Sequence, residues 1–143
     1  KRQRQNPKFY LFDPGVTKAL SKTLEVKVIP NTSEFGIAFE QFIILEFIRL
    51  NDYFRRDFSF YYLRTQDNAE IDLIVEYPSK SIALIEIKSL KKVDERSTKT
   101  LESFLPNFKG PKAYCLSLDP IERKIGNVFC LPWQKGIDAV FNE

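Results

Sequence analysis

The sequence predicts a single α/β domain, in which a mixed sheet with a three-stranded meander at its centre is flanked by helices. Three observations predict it. Glu34–Asp52 is an apolar run of helical length. Three short runs rich in β-branched, aliphatic and aromatic residues follow, Phe58–Thr65, Glu70–Glu76 and Ser81–Lys88, separated by brief polar breaks. Beyond Lys88, helical and strand-like runs alternate again. At 143 residues the chain is long enough for one domain with a real core. Its hydrophobic fraction of 43% supplies the residues to fill that core.

Taken in order, Lys1–Asn6 is polar and basic and reads as a frayed end. Lys8–Phe12 reads as a short strand that Asp13-Pro14-Gly15 turns, with one or two helical turns over Val16–Leu20. Ser21–Asn31 carries little signal, and Val26–Ile29 reads as extended. Asn31, Thr32 and Ser33 each offer an N-cap for the Glu34–Asp52 helix. That helix is apolar almost all round, as expected of a central one. Gln66-Asp67-Asn68 and Tyr77-Pro78-Ser79-Lys80 join the meander strands. A second helix is expected from about Asp94 to Phe104 or Leu105, where Pro106 stops it. Lys112–Ser117 and Lys124–Leu131 read as strands, and Trp133–Phe141 as a last helix.

Composition removes several classes of chemistry. The chain has no His, which excludes His-based triads and His–zinc sites. There is no Walker P-loop and no G-x-G-x-x-G. Net charge is only +3, which permits nucleic-acid binding without demanding it. No apolar run approaches a membrane span, so a cytoplasmic chain is expected. In that setting Cys115 and Cys130 read as small buried hydrophobes, with a disulfide open if their strands pair. Asn31-Thr32-Ser33 then matches the glycosylation pattern by accident. The chain starts at Lys1 and lacks Met, and we read it as a fragment of a longer protein.

Charge placement supplies the functional signal. Alternation along a strand puts Glu86 and Lys88 on one face with Leu84, while Ala83, Ile85 and Ile87 line the other. Asp72 lies mid-run in the preceding strand. A strand apolar on both faces is buried on both, and charges at its end are costly unless paired or holding a metal. Glu40 and Glu46 interrupt the long helix about 120° apart, so each needs its own partner. For Glu46, Arg49 three positions on is one option and an arginine elsewhere is another.

Asp72, followed by Glu86-Ile87-Lys88 and preceded by Glu40 on a helix, resembles the PD-(D/E)xK nuclease superfamily. Lys8–Gly15 (KFYLFDPG), Gly36–Glu46 (GIAFEQFIILE), Tyr61–Asp72 (YYLRTQDNAEID) and Ile85–Ser89 (IEIKS) narrow it. Together they resemble the domain of unknown function found C-terminal to predicted AAA-type ATPases of bacteria and archaea, which is itself similar to those nucleases. Ile71 stands where the superfamily name has proline. The resemblance implies a restriction-endonuclease-like core over about residues 33–131 of a single domain, 1–143. It further implies an N-terminal AAA-type ATPase domain as the partner within the same protein, and DNA as a possible substrate.

It also implies a site for Mg²⁺ or Mn²⁺, ions that take oxygen ligands and few carboxylates. Asp72 and Glu86 would bind directly, Glu40 through water or from the helix face, and the Ile87 carbonyl would complete the protein ligands. Lys88 would orient the attacking water or stabilise charge on the phosphate. Glu46 and Arg64 also match the family motifs, as a buried pair or as substrate contacts. Arg55-Arg56, Lys91-Lys92 and Lys109–Lys112 are candidate phosphate contacts, with a solvated face as the plainer reading. Tyr61-Tyr62 is open to base stacking or to core packing. Two alternatives to a nuclease stand beside it: an edge-strand salt-bridge cluster, and a non-catalytic docking or oligomerisation module of the ATPase.

Overall fold

The structure is a computed structural model that describes residues 8–143; the expected fraying of Lys1–Asn6 lies outside them. Its first regular element is α1, Pro14–Leu20, which Asp13 caps by accepting from the Gly15 N–H, with proline in the first turn. Asp13-Pro14-Gly15 therefore opens a helix rather than closing a strand. Lys8–Phe12 is not a strand either. Its backbone finds partners on the next helix instead: Gln41 Nε2 donates to the Leu11 carbonyl at 3.1 Å and Arg49 Nη2 to the Phe12 carbonyl at 2.8 Å. Val26–Ile29, expected extended, carries no strand.

Helix α2 spans Ser33–Phe54, and Thr32 is its cap, with Oγ1 accepting from the Phe35 N–H at 3.3 Å. It ends where Arg55 turns left-handed at φ 51°. The meander follows as β1 Ser59–Arg64, β2 Glu70–Glu76 and β3 Ile82–Lys88. Helix α3, Glu95–Phe104, begins with a capping box between Asp94 and Ser97, and Pro106 lies in the 3₁₀ turn that ends it. Then come β4 Lys112–Ser117, β5 Arg123–Ile125, β6 Val128–Pro132 and α4 Trp133–Phe141. The expected strand Lys124–Leu131 is thus two antiparallel strands, folded back at Gly126, whose φ of 55° suits glycine.

The six strands form one mixed sheet in the order β1-β2-β3-β4-β6-β5. β1, β2 and β3 pair antiparallel, β3–β4 and β4–β6 parallel, and β6–β5 antiparallel. The meander is one half of this sheet with β1 at its edge; the central pair is β3–β4, because a parallel crossover through α3 adds three further strands. Helices α2 and α4 cover one face, where Phe39, Ile43, Phe47, Val140 and Phe141 pack on Leu73, Val75, Ile85 and Leu116. Helix α3 covers the other, with Leu101 and Phe104 against Ile71, Leu84, Cys115 and Val128. β3 is accordingly buried on both faces along Ala83–Ile87.

Candidate acid–lysine site

The β2–β3 ladder stops at Leu73↔Ile85. Continuing that register would set Asp72 opposite Glu86, two acids that resist close pairing. Past the stop, the Asp72 carboxylate takes over a backbone donor, with Oδ2 accepting from the Ile87 N–H at 2.7 Å. Glu86 remains within the β3–β4 ladder, opposite Cys115, and is 5% exposed. Its Oε1 forms an ion pair with Lys88, the next residue on its face, while Oε2 has no hydrogen-bond partner among the described residues. An unpartnered carboxylate oxygen at that depth is costly.

Glu40 approaches from α2. Its Oε1 accepts from Lys8 Nζ and from the Tyr10 hydroxyl, each at 3.2 Å. Lys8 is also ion-paired with Glu70 at the start of β2 and lies 5.3 Å from the Tyr62 ring centre. Glu40, Asp72, Ile87 and Lys88 line a cleft of about 340 Å³ together with Ser33, Gly36, Ile37, Ser89 and Leu90. The start of α2 forms one wall and the chain leaving β3 the other.

The charges in this cluster act on one another. Burial, then the Glu86 charge, pushes the Asp72 carboxyl up to about 7, against the pull of the Ile87 N–H. Burial raises Glu86 as well, and Lys88 offsets part of that. Burial works against the Lys88 ammonium, yet the adjoining Glu86 holds its pKa above the ordinary lysine value. Lys88 is therefore a cation at neutral pH. The oxygen donors present are those a hard divalent ion takes. As they stand, no three acids of the described residues close around one cation position. An ion there would keep water for much of its shell, as Mg²⁺ commonly does.

Asp72, Glu86 and Lys88 thus meet on adjacent strands, with Glu40 beside them. Other residues singled out from the sequence fall elsewhere. Glu46 pairs with Arg49 at 2.8 Å, whereas Arg64 donates to Asn68, so the two do not form a buried pair. Arg55 and Arg56 lie beyond the far end of α2, roughly 22 Å of helix from Glu40 at 1.5 Å per residue. Lys91 and Lys92 are exposed just past the cleft residue Leu90. Tyr62 is half-buried and Tyr61 is exposed. Sequence reasoning missed Glu70, Lys8 and Tyr10 as members of the cluster. Glu70 had a signal, because it lies two residues from Asp72 in one strand. Lys8 and Tyr10 lie in the KFYLFDPG motif, but nothing in it points toward the acids, since that segment packs without a ladder. Cys115 and Cys130 are register partners on β4 and β6, and both are free and buried.

Fold and site together define a mixed α/β domain with an acid–lysine cluster, buried at Glu86 and half-buried around it, where β2 and β3 part. Residues 35–135 match the family model described as a domain of unknown function, DUF4143, and the chain belongs to that family. No curated protein matches it. Among the described residues, no helix is long and apolar enough to cross a membrane.

Proposed function

We propose that the domain is a metal-dependent phosphodiesterase acting on DNA, with a restriction-endonuclease-like core. The observation that carries this reading is Glu86: a buried carboxylate with one oxygen on Lys88 and the other unpartnered, beside an Asp72 carboxyl pushed up to about 7. Burial of two repelling acids is costly to the fold and suits a cation that both would share. Asp72 and Glu86 would be the direct ligands for Mg²⁺ or Mn²⁺, with Glu40 acting through water and the Ile87 carbonyl adding a neutral oxygen. When bound, the ion supplies Lewis-acid polarisation and a water of lowered pKa. Lys88, kept protonated by Glu86, orients that water or neutralises charge developing on the phosphate. The exposed Lys91 and Lys92 lie where a phosphate backbone would leave the cleft, and Arg55, Arg56 and Arg64 are more distant contacts. The partner is an AAA-type ATPase domain of the same cytoplasmic protein.

A second reading, a non-catalytic docking module of that ATPase, draws on one observation. Phe9, Phe12, Leu20, Leu24, Ile29 and Ile37 are more than half exposed along the first thirty described residues.

Mn²⁺ calorimetry followed by cleavage assays on duplex, single-stranded and flapped DNA separates the two. The nuclease reading expects Asp72→Ala, Glu86→Ala and Lys88→Ala each to remove most activity, as EDTA would. Arg55→Ala should weaken binding and flatten its salt dependence while cleavage persists. A folded wild type that neither binds Mn²⁺ nor cleaves any DNA form sinks the nuclease reading. Activity that survives Glu86→Ala marks a contaminant.

A further inference from the structure

Among the described residues, Glu40, Glu70, Asp72 and Glu86 lie near enough to act on one another without closing around one point, and Lys8 and Lys88 pair with three of them. Lys88 comes from the sheet itself. Lys8 comes from outside it, on the irregular segment 8–12, and bridges Glu40 and Glu70 with the Tyr10 hydroxyl beside it. Lys8 is half-buried there, its side chain 26% exposed. Little else fixes the segment. Phe9 and Phe12 are 87% and 73% exposed, and the Gln41 and Arg49 contacts to its backbone are at the surface. Only Tyr10 packs against the core.

We infer that segment 8–12 is a strap whose Lys8 ammonium competes with a divalent cation for the acid cluster. This rests on the metal reading above. Glu40 Oε1 accepts from both Lys8 and Tyr10, so an ion drawing on that carboxylate, directly or through water, would share it with the Lys8 ammonium. Two cations on one carboxylate repel, so ion binding and strap docking oppose each other. Apparent metal affinity is then the intrinsic affinity scaled by the fraction of molecules with the strap released. By reciprocity, metal loosens the strap. The strap thus sets the metal concentration at which the site fills.

The test is Mn²⁺ calorimetry on the full chain and on Lys8→Gln, Lys8→Arg and Tyr10→Phe, with thermal melts to confirm folding. Lys8→Gln should bind Mn²⁺ about tenfold more tightly or better. Lys8→Arg, which keeps the charge, should stay near wild type. Tyr10→Phe should shift the same way as Lys8→Gln but less, and it carries the test should Lys8→Gln fail to fold. In the wild type, the Tyr10 ring NMR signals should move toward those of an exposed tyrosine when Mg²⁺ is added. Equal affinities in wild type and Lys8→Gln, or weaker binding in Lys8→Gln, would overturn the strap while leaving the metal site standing. No Mn²⁺ binding in either protein would overturn the metal reading itself, and the strap with it.

Discussion

At Asp72, burial and the Glu86 charge hold the carboxyl up near 7, so the folded chain keeps a proton that the unfolded chain releases near pH 4. The folded pKa is raised. This group's contribution is therefore most favourable below about pH 4 and declines as pH rises toward 7, where the folded state must carry a buried charge. Asp72→Asn removes that charge while its amide oxygen can still accept from the Ile87 N–H. Without metal, Asp72→Asn should be more stable than wild type at pH 8, by on the order of 1 kcal/mol. The gain should vanish near pH 4, as urea midpoints across that range would show. Glu86→Gln tests the cause. With the second-largest contributor gone, Asp72 should titrate lower, still above an ordinary aspartate because it stays buried. Carboxyl-carbon NMR reads that shift, and an unmoved Asp72 would mean that the two acids do not sense each other.

The elements show which signals a sequence displays openly. Long periodic or uniformly apolar stretches were legible: α2, α3, α4, β4 and the meander all lie where their residues predict, because capping and burial act locally on contiguous chain. Lys8–Phe12 was not legible as it stands, since its aromatic content reads as strand while its partners are side chains of α2, some thirty residues on. Lys124–Leu131 hid a hairpin behind one glycine. The acid pair was legible from charge placed in an apolar strand, but Lys8 was not legible as its neighbour. Lys8 joins it only through tertiary packing, whereas Glu70 lies two residues from Asp72 in β2. Gly136 makes a comparable point in α4, where a Cβ would lie 1.7 Å from Leu116 Cδ2 and 3.1 Å from its Cγ. Leu116 is fully buried in β4 and has little room to yield. Gly136→Ala should therefore cost about 1–3 kcal/mol despite alanine's better helix propensity. A denaturant midpoint at or above wild type would show that α4 can shift outward freely.

For the whole molecule, the question is whether the cluster is a metal centre or a self-contained set of ion pairs, and folding stability answers it without any substrate. A cation bound only by the folded chain stabilises it by mass action, roughly 2.7 kcal/mol at a hundred times the dissociation constant. Mn²⁺ or Mg²⁺ should therefore raise the melting temperature of the wild type, and Asp72→Asn and Glu86→Gln should each lose the response. Set against this is a fold that uses Glu86 and Lys88 purely as a pair. Lys88 is bonded to Glu86 rather than to Asp72, so the burden of that reading falls on Glu86. Glu86→Gln would then strand a half-buried ammonium and destabilise the chain strongly, while Asp72→Asn would not. All three proteins would be blind to metal. Melts with EDTA and with Mn²⁺ distinguish the cases by sign as well as size. A metal-blind wild type whose stability collapses only in Glu86→Gln would reduce the cluster to a structural ion pair. A metal response abolished by both substitutions would place the shared cation between β2 and β3, where the ladder ends.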